Sequence, residues 1–387
     1  MKILWHSNAP FNTTGYGQQT ALFVPRIAGA GHEIVAIAAP YTFGGAVLEW
    51  EGIPLLPSVR DMAGNDIITA NYEYFKADLL FTLCDPFGLQ KSAKDLSQIN
   101  ASMWFPVDTN PLGEGDVAVL RDSQAIPVAM SQFGAQVLRS EGADPLYCPH
   151  AVDTKVFQPG DQAPFRDTVP AIGPDTFVIG ICAMNRDPLR KGFSEQMLAF
   201  SRFHSRHPDS HLALHTSPVN SPGLNLKSLA ERLGIGAVVT FPDSYAYDMA
   251  MITAEQMAVW YQGLDILSLC SYGEGFGIPL IEAQACGVPV VTTDASAMSE
   301  LCGGGWLVSG TPFWSSGHNA WWLRPDATDI EQAYEVAYQA KQDGTLPRKP
   351  AYDFAQQYDI DRVFQQYMVP ALAEIEERID PEKALSA

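Results

Sequence analysis

Two glutamates stand eight positions apart in "SYGEGFGIPLIEAQACGVPVVTTD", residues 271–294. Gly275, Gly277 and Pro279 lie between Glu274 and Glu282, in a stretch otherwise mostly apolar. "DILSLCS" reads as a buried strand ending at Ser271, and "YGEGFG" as the loop after it. "PLIEAQAC" then reads as a helix, with Pro279 in its first turn and Gly287 as its terminator. This reading puts Glu274 at the carboxyl end of a strand and Glu282 about a turn into the helix. Gly275 and Gly277 let a ligand approach the backbone closely, and free N–H groups at a positive helix end suit a phosphate. Carboxylates suit sugar hydroxyls, so the combination points to a nucleotide-sugar. The helix dipole alone also favours an acidic residue in a first turn, so an ordinary helix entry accounts for the same letters.

The elements that must hold these residues form two α/β runs. "KILWHSN", the loop "APFNTTGYG", the helical "QQTALFVPRIAGAG" and the strand "HEIVAIAAP" make a β-loop-α-β opening. Strands follow at 78–85, 101–108 and 126–131, with a helix at "QFGAQVLRSEG". Residues 158–176, rich in Pro, Gly and Asp, read as an interdomain linker. The pattern then restarts, with strands at "FVIGICAM", "SHLALHTS" and "AVVTFPD" (237–243) and helices at "FSEQMLAFSRFHSRHP", "LKSLAERLGIG" and "TAEQMAVWYQGL". "YDIDRVFQQYMVPALAEIEERI" reads as helix with a break near Pro370. The expectation is an N-terminal Rossmann-like domain over 1–160, a C-terminal one over 161–354, and a helical segment over 355–387 returning to the first.

The Glu-rich segment resembles the E-x7-E signature of the retaining GT-B glycosyltransferases of family four, in "EGFGIPLIE" followed by "AQACGVPVV". Three further stretches agree in order: "GHEIVAI", "PHAVDTKVF" and "NRDPLRKG", where Asn185 and Asp187 depart from the family's loop. The resemblance implies the GT-B fold: two facing Rossmann-like, doubly wound domains with a deep interdomain cleft. It implies retaining transfer of a sugar from a UDP- or GDP-sugar, with front-face attack and the leaving diphosphate assisting removal of the acceptor's proton. No metal or other cofactor is required, because Arg186 and Lys191 match the cations beside the donor diphosphate. Arg190 would be a third charge on that loop. Glu274 matches the residue that contacts donor-sugar hydroxyls, and Glu282 the one that accepts from the ribose. The amides of Gly275, Phe276 and Gly277 would lie near the sugar or phosphate. Gly15, in "NTTGYG", matches the loop that closes over the donor phosphate. Where many relatives have a histidine, this sequence has Val107 or Asp108. Asp108 either binds a sugar or acceptor hydroxyl or caps the "TNPLG" turn.

Composition narrows the partners. The net charge of −20, spread over both halves, argues against nucleic acid or an anionic membrane as the main partner. No apolar run reaches membrane-spanning length, and "MKILWHS" lacks the apolar core of a signal peptide. Six cysteines without a CxxC pair read as buried thiols. The expected location is cytoplasmic. The opening twenty residues and "FPVDTNP" resemble glycosyltransferases encoded by bacteriophages, which implies a host cytoplasm and a virion protein, a glycan or a small molecule as acceptor. Two alternatives stay open: a sugar-nucleotide epimerase of the same fold, and a non-catalytic module that binds nucleotide-sugar. "GYGQQT" is a broken dinucleotide fingerprint, with Thr20 where a third Gly or Ala belongs. Asp359 and Asp361 form a D-x-D that helix capping explains. His6 and His150 are strand-end candidates. "WSSGHNAWW" reads either as a carbohydrate-stacking segment or as a packed surface loop.

Overall fold

A computed structural model describes residues 1–39 and 46–380. Pro40, the last residue of the expected second strand, lies outside the described residues. The chain forms two compact units. Unit 1 takes Met1–Ala151, Ser315–Ala320 and the segment from Ile360, and unit 2 takes Val152–Trp314 and Trp321–Asp359.

Unit 1 is built on an eight-stranded sheet of β1 (Lys2–Ser7), β2 (Glu33–Ala39), β3 (Leu48–Trp50), β4 (Ile53–Pro57), β5 (Leu79–Leu83), β6 (Ala101–Phe105), β7 (Ile126–Ala129) and β8 (Leu146–Tyr147). Its order is β3-β4-β2-β1-β5-β6-β7-β8, and only the β3–β4 pair is antiparallel. Strands β5 and β6 are buried along their whole length, as parallel strands covered on both faces must be. The order reverses between β1 and β5.

Unit 2 carries a six-stranded, wholly parallel sheet of β9 (Phe177–Cys182), β10 (Ser210–His215), β11 (Val239–Thr240), β12 (Ile266–Leu269), β13 (Val290–Thr293) and β14 (Gly305–Val308). Its order is β11-β10-β9-β12-β13-β14, so the reversal falls between β9 and β12. Helices Phe193–Arg206 and Ala327–Gln342 pack through Phe200, Phe203 and Tyr334 into the core on this sheet.

Two readings of the sequence change and two gain detail. The 158–176 stretch is not a linker: it lies inside unit 2 and is fixed by Arg166, 6% exposed, which donates to Asp265 at 2.8 Å and to the carbonyls of Gly263, Pro174 and Thr176. The strand expected at 237–243 shrinks to β11, because Gly236–Val238 winds into a 3-10 turn and Pro242 has no N–H for a ladder. "WSSGHNAWW", read as a stacking segment or a packed surface loop, spans the turn of a hairpin of β15 (Gly310–Ser315) and β16 (Ala320–Pro325). Phe313 and Trp322 pack on Tyr272, while Trp314 and Trp321 stay exposed, edge to face at 5.0 Å. The break near Pro370 is a widened π turn over Phe364–Met368, which precedes a ring that would crowd the carbonyl of Gln366.

Among the described residues, no helix is long and apolar enough to cross a membrane. The six cysteines are free and buried or half-buried.

Candidate functional site

The reversal between β9 and β12 is where an open α/β sheet offers its carboxyl ends to a ligand. Two loops leave the sheet there. The first, 183–192, joins β9 to the Phe193 helix, and the second, 270–277, joins β12 to the helix Ile278–Ala285.

Gly192 brings the loops together. Its φ of +59° is left-handed, and a Cβ there would stand 2.2 Å from the carbonyl oxygen of Cys270. Only glycine lets the residue after Lys191 press onto the end of β12. Gln196, fully buried one turn on, locks the contact. Its Nε2 donates to the carbonyls of Lys191 (2.9 Å) and Gly192 (3.3 Å), and its Oε1 accepts from Ser268 Oγ (2.8 Å) and Cys270 N (3.1 Å). Tyr272 N adds a bond to the Arg190 carbonyl at 2.7 Å.

This places Lys191 on Glu274. Lys191 Nζ lies 2.5 Å from Glu274 Oε1, which also accepts from Ser271 Oγ at 2.6 Å. Arg190 Nη1 reaches Glu274 Oε2 at 3.3 Å, and the Glu274 amide donates to Ser296 Oγ at 2.9 Å. Glu274 is 7% exposed. Burial pushes its pKa up, but Lys191, Arg190 and the bond from Ser271 outweigh it and hold the carboxyl down to about 2. It is therefore a fixed anion at any ordinary pH.

Gly275, Phe276 and Gly277 lead into the next helix. Gly277 is its N-cap at φ 113°, a conformation reserved for glycine, and Pro279 sits in the first turn. The Phe276 ring turns into the core against Tyr358, centroids 5.8 Å apart, which leaves the segment's polar character to its backbone. Glu282 follows one turn later, 5% exposed, and its Oε2 accepts from Tyr261 Oη at 2.8 Å. Burial raises its pKa to about 7 against the lowering effect of that bond. One glutamate of the pair is thus permanently ionised, and the other is poised between states.

Arg186 is not brought to Glu274. It is exposed, and its charge is felt at Tyr247. The residues that depart from the family loop have structural work. Asn185, 1% exposed, donates to the carbonyls of Ser217 and Leu224 and accepts from Leu224 N. Asp187 Oδ1 accepts from the amides of Leu189 and Arg190, turning the chain toward Lys191.

Gly15 and Asp108 belong to unit 1. Gly15 opens the helix Gly15–Gly29 after β1, where the Thr14 side chain caps the amide of Gly17 and Tyr16 Oη donates to Asp85 at 2.9 Å. Asp108 follows β6. With Asp85 it adds to the burial that raises the Asp116 carboxyl to about 7. Burial lowers His6 to about 4 and His150 to about 3, so both are neutral at pH 7. Asp359 accepts from Thr154 within unit 2, and Asp361 pairs with Arg26 within unit 1.

Comparison with known proteins bears on this geometry. Residues 177–318 match the family model described as Glycosyl transferases group 1, a stretch that contains Lys191, Glu274 and Glu282. Solved structures superpose over nearly the whole chain. Sucrose-phosphate synthase from Thermosynechococcus elongatus has a TM-score of 0.75 at 17% identity, covering 97% of this chain and 99% of that one. Anabaena HepE in complex with UDP has a TM-score of 0.72 at 16% identity, covering 97% and 100%. The fold is GT-B. Curated relatives include D-inositol 3-phosphate glycosyltransferase 2 of Catenulispora acidiphila, 30% identical over 212 residues, or 52% of this chain and 47% of that protein. The D-inositol 3-phosphate glycosyltransferase of Paenarthrobacter aurescens is 30% identical over 178 residues, 46% of this chain and 40% of that protein. The matched stretch thus spans less than half the length of these relatives.

Proposed function

We propose that the chain is a retaining glycosyltransferase that moves a sugar from a nucleoside-diphosphate sugar to an acceptor hydroxyl without a metal ion. The observation that carries this reading is the meeting of Lys191 and Glu274 at the β9–β12 reversal, beside a glycine-capped helix start. In this reading Lys191, with Arg186 at the loop's outer end, stabilises the charge that develops on the departing diphosphate. Amides of Gly275 and Gly277 approach the sugar or phosphate, Glu274 accepts from the sugar hydroxyls, and Glu282 accepts from the ribose. The anomeric carbon–phosphate oxygen bond breaks as the acceptor oxygen attacks from the same face. The acceptor's proton passes to the departing diphosphate oxygen. Asp108 is our candidate for holding an acceptor hydroxyl, and Gly15 for a close backbone approach to an anionic group.

HepE is solved with UDP and the curated relatives are named for an inositol phosphate acceptor, which supports a UDP-sugar donor and a polyhydroxylated acceptor. The bacteriophage resemblance adds a virion protein as a candidate acceptor and a host cytoplasm as the location.

The test is a panel of UDP- and GDP-sugars with EDTA present, followed by NMR. Slow hydrolysis of one donor to its sugar, first released with the donor's anomeric configuration, and nucleoside diphosphate supports the proposal. Conversion of a donor to its epimer, or no binding to any donor, contradicts it.

A further inference from the structure

We propose that Arg190 is a further cation for the donor diphosphate, beside Lys191 and Arg186, and that Glu274 competes with the diphosphate for Arg190 and Lys191. This rests on the donor-site reading above and deepens it.

Both oxygens of one buried carboxylate are engaged by cations from consecutive residues. Lys191 holds Oε1 at 2.5 Å with a side chain 13% exposed. Arg190 holds Oε2 at 3.3 Å, longer than a strong charge-assisted bond, with a side chain 29% exposed. The two contacts therefore differ in kind: one is short and enclosed, the other long and open to solvent. The Arg190 backbone cannot follow its head group. Its amide donates to Asp187 Oδ1 at 2.9 Å, and its carbonyl accepts from Tyr272 N at 2.7 Å. Only rotation of the side chain about a pinned Cα can carry the guanidinium elsewhere. A further contact, Nη1 to the Gly273 carbonyl at 3.3 Å, is equally long.

A diphosphate presents the same chemistry as a carboxylate, oxyanions in a plane that a guanidinium fork matches, with more charge. Diphosphate on Arg190 and Lys191 frees Glu274 oxygens, and those oxygens are then available to sugar hydroxyls. A nucleoside diphosphate without a sugar must separate the same ion pairs yet offers Glu274 no hydroxyls in return. The exchange thus favours the intact donor over the spent nucleotide, and it is a specificity device as well as a binding one.

Isothermal titration of UDP, GDP and inorganic pyrophosphate into the full chain tests this, using wild type, Arg190→Gln, Glu274→Gln and the double variant. Binding of a nucleoside diphosphate by wild type tests the donor-site reading; the differences between variants test the exchange. Glu274→Gln should bind the diphosphate roughly tenfold more tightly, the scale of one hydrogen bond to a charged group. Arg190→Gln should weaken binding in wild type, and by a larger factor in the Glu274→Gln background, where Glu274 no longer holds the guanidinium back. A purely structural Arg190–Glu274 pair predicts no change in affinity from Arg190→Gln in either background. That result, or diphosphate binding to Glu274→Gln no tighter than to a wild type that does bind, overturns the inference. Should Glu274→Gln fail to fold, Arg190→Gln with its solvent-facing side chain decides alone: undiminished diphosphate affinity overturns the inference, and weakened affinity supports it.

Discussion

Replacing Glu282 by glutamine should stabilise the protein above neutral pH and leave it unchanged in acid. The reason is linkage. The Glu282 carboxyl is raised on folding from its ordinary 4.5 to about 7, mainly by burial. Below 4.5 both folded and unfolded chains hold the proton, and the full benefit of a neutral buried carboxyl is present. As pH rises from 4.5 to 7, the unfolded chain releases its proton while the folded chain keeps it, and stability falls. Above about 7 the folded protein must bury an anion whose hydrogen bond is the one from Tyr261 Oη. The gap is worth about 3 kcal/mol at 1.36 kcal/mol per pH unit. For a unit of this size that is about 6–12 °C in melting temperature. Glutamine keeps the shape and the bond from Tyr261 without the charge. Thermal unfolding by scanning fluorimetry across pH 4.5–8 measures the difference between variant and wild type. It should be near zero at the acid end and grow to that size at the alkaline end. Parallel melting curves across the whole range would refute the argument. Tyr261→Phe should act oppositely, deepening the wild-type loss at alkaline pH, because it strips the anion of that hydrogen bond.

Other substitutions probe the scaffold. Gly192→Ala places a methyl 2.2 Å from the Cys270 carbonyl at φ +59°, so it should destabilise by about 3 kcal/mol or more and lower donor affinity, checked by urea unfolding and titration. Gln196→Leu keeps the volume but breaks four bonds that tie Lys191 and Gly192 to β12. Turnover should fall at least tenfold with a smaller change in KM, partly rescued by Gln196→Glu at low pH. Arg166→Met removes one of three cations on Asp265 and leaves Lys341 and Arg348, so the loss in urea unfolding should be about 3 kcal/mol, the low end for breaking a buried pair. A loss under 1 kcal/mol there would mean that the 158–176 segment is held by something else.

The fold was legible because parallel strands covered on both faces read as short apolar runs, and both sheets are of that kind. Edge elements were not. The hairpin β15–β16 carries runs, "FW" and "AWWL", rather than alternation around "SSGHN", and its aromatic content suggested packing without showing a strand pair. Pro, Gly and Asp in 158–176 signalled irregular backbone correctly, but composition does not say whether an irregular segment is free or pinned. Arg166 and Asp265, 99 positions apart, decide that. The candidate site divides along the same line. Glu274 and Glu282 stand in one local motif that spacing marks as a candidate, and Lys191 stands in a loop that the family resemblance singles out. Gln196 and Tyr261 act through partners 72 and 21 positions away, and no local pattern marks them. Arg190 read only as a third charge on its loop, and its contacts to Glu274 and the Gly273 carbonyl separate it from a solvated charge. Arg186 stood in the motif as a diphosphate cation and is exposed, while the arginine that reaches Glu274 is Arg190.

The central claim is that Lys191 and Glu274 form a working donor site at the ends of β9 and β12. The most direct measurement is donor hydrolysis by wild type and Lys191→Ala, with EDTA present and folding checked by circular dichroism. The account predicts turnover in wild type despite the chelator and a fall of about a hundredfold or more in the folded variant, the scale set by removing one preorganised transition-state contact. A folded Lys191→Ala protein that hydrolyses the donor at the wild-type rate would contradict it.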